Sequence, residues 1–265
     1  MLSVGDIIAL KGTRQLTELN VACVEHAAAA EAAGIDMIVS GNRANRAAYR
    51  AAAPNTHFCF GLIYGHHVNA DQARRAAFEA LEAGADSIYC AMNLDIVEAM
   101  AKDGIPVVGH VGLVPQKARW TGFRAVGKTA DEALKVLDDV RRYEDAGAFA
   151  VEMEVVPEPV ATAICAATPL VVISMGSGGG CDVQYLFAVD VLGETTGKMP
   201  RHARAYRDFA AEFARLQTQR VAAFTEFRRD VETGGFPAPS ESVGMDTPEW
   251  EAFRLGLETR KSRSS

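Results

Sequence analysis

Three stretches of this chain repeat one local design: "EAAGIDMIVSG" at Glu31–Gly41, "LEAGADSIYCA" at Leu81–Ala91 and "YEDAGAFAVEME" at Tyr143–Glu154. In each, an alanine-rich amphipathic run meets a glycine suited to a left-handed helix cap, and a short apolar strand follows at once. Two more joints, "AKDGIPVVGH" and "CAATPLVVISMG", end a helix with Gly-x-Pro or Thr-Pro ahead of strands at Val107–His110 and Leu170–Met175. Joints of this kind build parallel sheets, whose strands are apolar on both faces because helices cover them.

Adding Asp6–Leu10, His57–Gly61 and a weaker segment at Phe187–Val191 brings the tally to about eight strands. Between them, Thr129 with Glu132 predicts a capping box ahead of Ala133, Leu137 and Val140. Asn69 is placed to cap a helix carrying Ala73, Ala77 and Ala80. Over 265 residues this count predicts an α/β fold, a (β/α)8 TIM barrel, with an open doubly wound sheet as the rival topology. Residues 1–201 read as the barrel. Residues 202–265 read as a C-terminal helical extension and polar tail, because the alternation gives way to a long charged helical pattern from His202 to Thr233.

A net charge of -7 without a basic stripe gains nothing from counterion release, so nucleic acid is not an expected partner. No stretch has the uninterrupted apolar length of a membrane span, and the amino terminus lacks the basic-then-apolar pattern of an export signal. The expectation is a cytoplasmic protein with no membrane partner. Cys23, Cys59, Cys90, Cys165 and Cys181 are odd in number and form no C-x-x-C pair, which predicts small buried residues rather than disulfides.

In such a barrel the active site lies at the carboxyl ends of the strands. Standing there are Asn42 and Arg43 after the second strand, Gly61–His67 after the third and Tyr89–Asn93 at the fourth. His110 ends the fifth, Glu152 and Glu154 the sixth, and Ser174–Asp182 follow the seventh. Glu154 sits at the mouth end of an otherwise apolar strand, where partial loss of hydration suits a carboxylate to general-base work; Glu152 shares its parity. The plainer alternative for either is an ion-pair partner in a polar barrel layer. His110, next to Gly109 and near Gly112, can reach a ligand because glycine neighbours permit close approach, or it can be a hydrogen-bonded core residue. The run "GSGGGCD" (Gly176–Asp182) offers backbone N–H groups to a carboxylate or phosphate, or is simply a turn. His66 and His67 are adjacent, which suits them poorly to one metal ion.

These residues carry a resemblance. "IPVVGHVGLVPQ" followed by "TGFRAVGKT", then "AGAFAVEMEVVP", "VVISMGSGGGCDVQ" and "VDVLGETTGKMPRHARAY", resemble the ordered motifs of the ketopantoate hydroxymethyltransferase family, most strongly from about Ala53 to Tyr206. The resemblance implies a barrel of the phosphoenolpyruvate mutase and isocitrate lyase superfamily, large homo-oligomers, commonly decamers, and a place in pantothenate synthesis. It also implies a chemistry: Mg²⁺ chelates the 2-oxo acid 3-methyl-2-oxobutanoate, a glutamate removes the C3 proton, and the enolate attacks the one-carbon unit of methylenetetrahydrofolate as co-substrate. Residue by residue, the base carries over to Glu154 and the site histidine to His110, with Asn42, Arg43, Tyr89, Ser174 and Gly176 as substrate-binding positions.

The pattern departs from the family at the metal. Where the family's "GDS" supplies a liganding aspartate this chain has "GNR", with Asn42 and Arg43; a second aspartate is replaced by Gly61; and the family's Lys-x-Glu is Tyr89, Cys90 and Ala91. Magnesium requires hard oxygen donors, so no residue is predicted here as a metal ligand. Arg43, Arg46 and His110 are the groups left to meet enolate charge. Three readings follow: a divergent hydroxymethyltransferase making or breaking a carbon-carbon bond beside a 2-oxo acid, a metal-independent lyase or decarboxylase with another carboxylate substrate, and a non-catalytic paralogue that binds a small acid.

Overall fold

A computed structural model of the protein describes residues 1–41 and 46–261. In chain order its elements are α1 (Val4–Ala9), β1 (Leu16–Asn20), α2 (Val24–Ala33), β2 (Met37–Ser40), α3 (Arg46–Ala52), β3 (His57–Gly61), α4 (Ala70–Glu82), β4 (Ser87–Tyr89), α5 (Leu94–Lys102) and β5 (Val107–Gly112). They continue with α6 (Ala118–Thr121), α7 (Ala130–Asp145), β6 (Ala150–Glu154), α8 (Glu158–Ala167), β7 (Val171–Met175), β8 (Val183–Phe187), α9 (Ala188–Leu192), α10 (Phe209–Thr233) and α11 (Thr247–Lys261). The strands pair in order, all parallel, and β8 closes on β1, with Glu18 opposite Tyr185 and Asn20 opposite Phe187. The fold is therefore a closed (β/α)8 TIM barrel, and the open-sheet topology is excluded.

Two of the expected strands are elsewhere. Asp6–Leu10 is not a strand: Val4–Ala9 is helix α1, started by a capping box in which the Ser3 hydroxyl accepts from the Asp6 N–H at 3.2 Å and the Asp6 carboxylate accepts from the Ser3 N–H at 2.8 Å. Its Ile7 packs against the apolar side chains of the barrel interior. The first strand is Leu16–Asn20, which has no apolar pattern because its inward positions include Glu18 and Asn20. At the other end, Val183–Phe187 is the strand and Ala188–Leu192 is helix.

The helices follow their sequence signals more closely. Asn69 accepts from the Gln72 N–H at 2.9 Å, and Ala73, Ala77 and Ala80 are buried on α4. Thr129 accepts from the Glu132 N–H at 3.2 Å, but the Glu132 carboxylate turns to the Gly127 and Lys128 N–H groups and to Arg124. Only half of that capping box forms.

Two glycine patterns serve packing. No helix separates β7 from β8 among the described residues; residues 176–182 pass along α8, and a Cβ at Gly178 or Gly180 would overlap the side chains of Glu158 and Thr162. The run "GSGGGCD" is thus a close-packed crossover. On β5, Gly109 faces outward, and a Cβ there would enter the ring of Tyr143 on α7. Gly112 has φ +82°, and a Cβ there would meet the Glu154 carbonyl oxygen. The glycines beside His110 admit a helix and a neighbouring strand rather than a ligand.

The chain divides into two compact units, Met1–Phe209 and the residues from Ala210 on. The first runs past the barrel strands because residues 193–207 fold back, with the Tyr206 N–H donating to the Val191 carbonyl at 2.8 Å. In the second, α10 buries none of its residues, and its surface carries Arg215–Glu212 and Arg228–Glu232 pairs at helical spacing.

Because a Cβ at Gly109 would overlap the Tyr143 ring, Gly109→Ala is expected to overpack this contact and destabilise the fold by about 1–3 kcal/mol. Urea unfolding measures this; a change below roughly 0.5 kcal/mol, the ordinary range of surface substitutions, would contradict the packing assignment.

Candidate active site

Strand parity sends Tyr89 of β4, His110 of β5 and Glu152 and Glu154 of β6 to the same side, the barrel interior, with His110 in register with Glu152 and Gly112 with Glu154. Their side chains meet at the carboxyl ends of the strands. There they line a cavity of about 550 Å³, together with Asn20, Gly61, Leu62, Gln116, Met175, Tyr185 and Phe187.

His110 is the centre of this arrangement and is 3% exposed. Its Nδ1 lies 2.7 Å from the Tyr89 hydroxyl and 3.3 Å from a Glu152 carboxylate oxygen. Its Nε2 lies 3.0 Å from the Leu113 carbonyl oxygen and 3.2 Å from a Glu154 carboxylate oxygen. A carbonyl oxygen only accepts, so Nε2 carries a hydrogen in either charge state of the ring. Nδ1 has two options: bare, it accepts from the Tyr89 hydroxyl; protonated, it donates toward Glu152 and Tyr89.

Electrostatics selects the second option at neutral pH. Burial opposes the charge, but hydrogen bonds and Coulombic attraction from Glu152 and Glu154 outweigh it and raise the His110 pKa to about 9. Burial, together with the nearby carboxylates, pushes the Tyr89 phenol well above its ordinary range, so it stays a hydroxyl. With Nδ1 protonated, the Tyr89 hydrogen is released from the ring and can donate into the cavity. A buried, doubly hydrogen-bonded imidazolium flanked by a carboxylate at the cavity wall is equipped to accept a proton at Glu154 and to face developing negative charge with Tyr89.

Of the sequence-predicted positions, Glu154, His110 and Tyr89 are brought together. Asn42 and Arg43 lie outside the described residues. Ser174 does not line the cavity: on β7 the inward positions are Ile173 and Met175, and the Ser174 hydroxyl donates to the Gly178 carbonyl at 3.0 Å, holding the crossover. Gly176 is likewise absent from the lining; a Cβ there would meet His202. Arg46 lies over the Phe60 ring, with its cation 5.1 Å from the ring centre, and within 3.9 Å of Glu79. It is therefore not a cavity residue. His66 and His67 line separate space beside α4.

Sequence reasoning missed Asn20, Gln116, Tyr185 and Phe187. The amide oxygen of Gln116 is buried without a hydrogen-bond partner, which leaves it free to meet a ligand donor. The signal for Asn20 was a polar residue two places after Glu18, legible only once β1 was located.

A divalent cation does not fit the described donor set. Gly61 and Ala91 bring no donor to positions where the resembled family has carboxylates, and Glu152 and Glu154 are committed to His110. No group of three or more His, Cys, Asp or Glu among the described residues is arranged to hold a metal.

Comparison with known proteins agrees with this geometry at the level of family. The family model "Ketopantoate hydroxymethyltransferase" matches residues 43–239. The 3-methyl-2-oxobutanoate hydroxymethyltransferase of Syntrophobacter fumaroxidans is 32% identical, across 98% of this chain and 99% of the relative. That of Chloroflexus aggregans is 37% identical over 67% of this chain, where the match spans 62% of the relative's length. Among solved structures, 2,3-dimethylmalate lyase, a PEP mutase/isocitrate lyase superfamily member, shares the fold with a TM-score of 0.51 at 13% identity, across 98% of this chain and 100% of that one. The chain belongs to the ketopantoate hydroxymethyltransferase family.

Proposed function

We propose that this enzyme forms or breaks a carbon-carbon bond next to a small 2-oxo acid through an enolate, with Glu154 as the base. The observation that carries the reading is the Glu154 carboxylate, 12% exposed, on the cavity wall and 3.2 Å from Nε2 of a buried imidazolium. A substrate of the size of 3-methyl-2-oxobutanoate would place its branched end against Leu62, Met175 and Phe187. Glu154 takes the C3 proton, and the electron pair moves onto the 2-oxo oxygen. Tyr89 donates its hydroxyl hydrogen to that oxygen while the charge of His110 stabilises it at short range. Asn20 and Gln116 are the neutral polar groups left to orient the acid, with Arg43 proposed as its counterion.

In the hydroxymethyl transfer, the nucleophilic C3 would bond to the methylene carbon that methylenetetrahydrofolate supplies when bound. The carbon–nitrogen bonds of that carbon would break to release tetrahydrofolate, and water would supply the hydroxyl oxygen and the protons the folate nitrogens take up. A second cavity of about 260 Å³ adjoins the first, shares Tyr64 and His110 with it, and is lined by Lys117, a cation suited to an anionic donor, and by Arg142, which pairs with Asp139 at 3.2 Å. The replacement of metal donors by Gly61 and Ala91 favours a reaction that proceeds without a divalent cation. It equally supports a metal-independent lyase or decarboxylase that uses the same base on another carboxylate. Self-association is proposed from the exposed Phe224 and Phe227 of α10. No helix among the described residues is long and apolar enough to cross a membrane.

Deuterium uptake at C3 of 3-methyl-2-oxobutanoate, followed by NMR with a chelator present, tests the base. The expected result is exchange in the wild type and a loss of at least about 100-fold in Glu154→Gln. No exchange in the wild type, with or without Mg²⁺, would overturn the reading.

The charge state of His110 also sets a pH dependence. The ring holds its proton to about pH 9 in the fold but to about 6.5 in an unfolded chain. Its contribution is therefore complete below about pH 6.5 and lost as pH rises through about 9, at a cost of up to about 3 kcal/mol. Urea unfolding midpoints are expected to fall across this interval; a flat profile would contradict the assignment.

A further inference from the structure

Below the site, the barrel interior holds a carboxyl group that the proposed reaction does not use. Glu18 of β1 is 1% exposed, and its Oε2 has no hydrogen-bond partner among the described residues. By register, Glu18 stands opposite Tyr185 of β8, and both are near enough to Glu152 for its charge to act on them. Among the described residues, the groups around this pair are Tyr185, Cys59 of β3, Tyr89, His110 and Glu154, of which His110 is the one cation. Around His110 itself stand Tyr89, Glu152, Glu154 and Tyr143 of α7, with Lys117, Asp139 and Arg142 lining the cavity on its outer side.

Among the described residues one buried cation faces three carboxylates, and an unpaired charge in such an interior costs several kcal/mol. The geometry decides where a proton goes. Glu152 and Glu154 each have a ring nitrogen within 3.3 Å, whereas Glu18 has none. Burial raises both carboxyls, but the hydrogen bond and charge of His110 pull Glu152 back down, whereas burial and then the charge of Glu152 push Glu18 well above the ordinary carboxylate range.

We propose that Glu152 is the positioning residue of this site: Glu18 lies beside it as a neutral carboxylic acid, so that Glu152 keeps its charge and anchors the Nδ1–H of His110 from inside the barrel. This rests on the reading of His110 and Glu154 given above and deepens it. Glu152 holds the ring doubly protonated and frees the Tyr89 hydroxyl for the cavity, acting through the ring. Glu18 keeps the total buried charge at a value the fold tolerates. The proton of Glu18 is retained throughout, so the pair is not a relay.

The test uses the full chain and two isosteric variants, with readouts that do not all require turnover. In Glu152→Gln, the alkaline fall in unfolding midpoint is expected to move toward neutral pH by about one unit or more, and the alkaline limb of C3 exchange to move with it. In Glu18→Gln, a mimic of the neutral acid, both profiles are expected to stay in place. A Glu18→Gln variant whose profiles shift as far as those of Glu152→Gln would overturn the proposal, as would a Glu152→Gln variant with unmoved profiles. If Glu152→Gln does not fold, infrared difference spectra of wild type against Glu18→Gln at neutral pH still decide. A protonated-carboxyl stretch that disappears in the variant is expected, and its absence from the wild type refutes the neutral acid. Loss of exchange with the stability profiles behaving as stated would refute the enolate reading alone.

Discussion

A positively charged imidazole held between two carboxylates inside a closed barrel is the constraint on which the site depends. Isolated, His110 would be neutral at this depth, since burial alone disfavours the cation. Register between β5 and β6 sets the balance: His110 pairs with Glu152 one layer down and reaches Glu154 at the mouth, so both ring nitrogens find an anion. The geometry is stiff because it comes from strand parity, not from loops. Gly109 and Gly112 contribute from outside and from the strand end, by letting Tyr143 and the Glu154 backbone close in on β5.

The same constraint bears on the missing metal donors. A divalent cation and a buried imidazolium solve one electrostatic problem, the stabilisation of an enolate next to a carboxylate base. With Gly61 and Ala91 where the family's metal-side carboxylates stand, and with Glu152 and Glu154 already paired to a cation, the proposed chemistry shifts the burden to His110 and Tyr89. Membership of the family and the proposed chemistry are compatible, because the closed barrel and the register of His110 with Glu152 need no ion.

Much of the architecture was legible because helix-to-strand joints are local. Gly34 caps α2 in the left-handed conformation, and the strands at His57–Gly61 and Ala150–Glu154 stand where the apolar runs placed them. The first strand was hidden by Glu18 and Asn20, since an apolar-run criterion rejects a strand whose inward face is polar. Ala188–Val191 read as strand for a related reason: Val183–Phe187 is mixed in polarity, while the adjoining helix α9 is apolar enough to imitate a strand. Glu154, His110 and Tyr89, read from their positions at strand ends, do meet in one cavity. Ser174 failed the same criterion by one residue of parity. The glycine-rich run gave no sign of its partner, because its reason for existing is α8, a contact that only the closed barrel creates.

The central claim is that His110 carries a full positive charge at neutral pH. Nitrogen-15 NMR of the selectively labelled imidazole tests it most directly, by reporting the protonation of each ring nitrogen separately. The account predicts that Nδ1 and Nε2 are both protonated at neutral pH and that Nδ1 is the one to lose its hydrogen on titration toward about pH 9. A ring found with a bare Nδ1 at neutral pH, accepting from Tyr89, would contradict it.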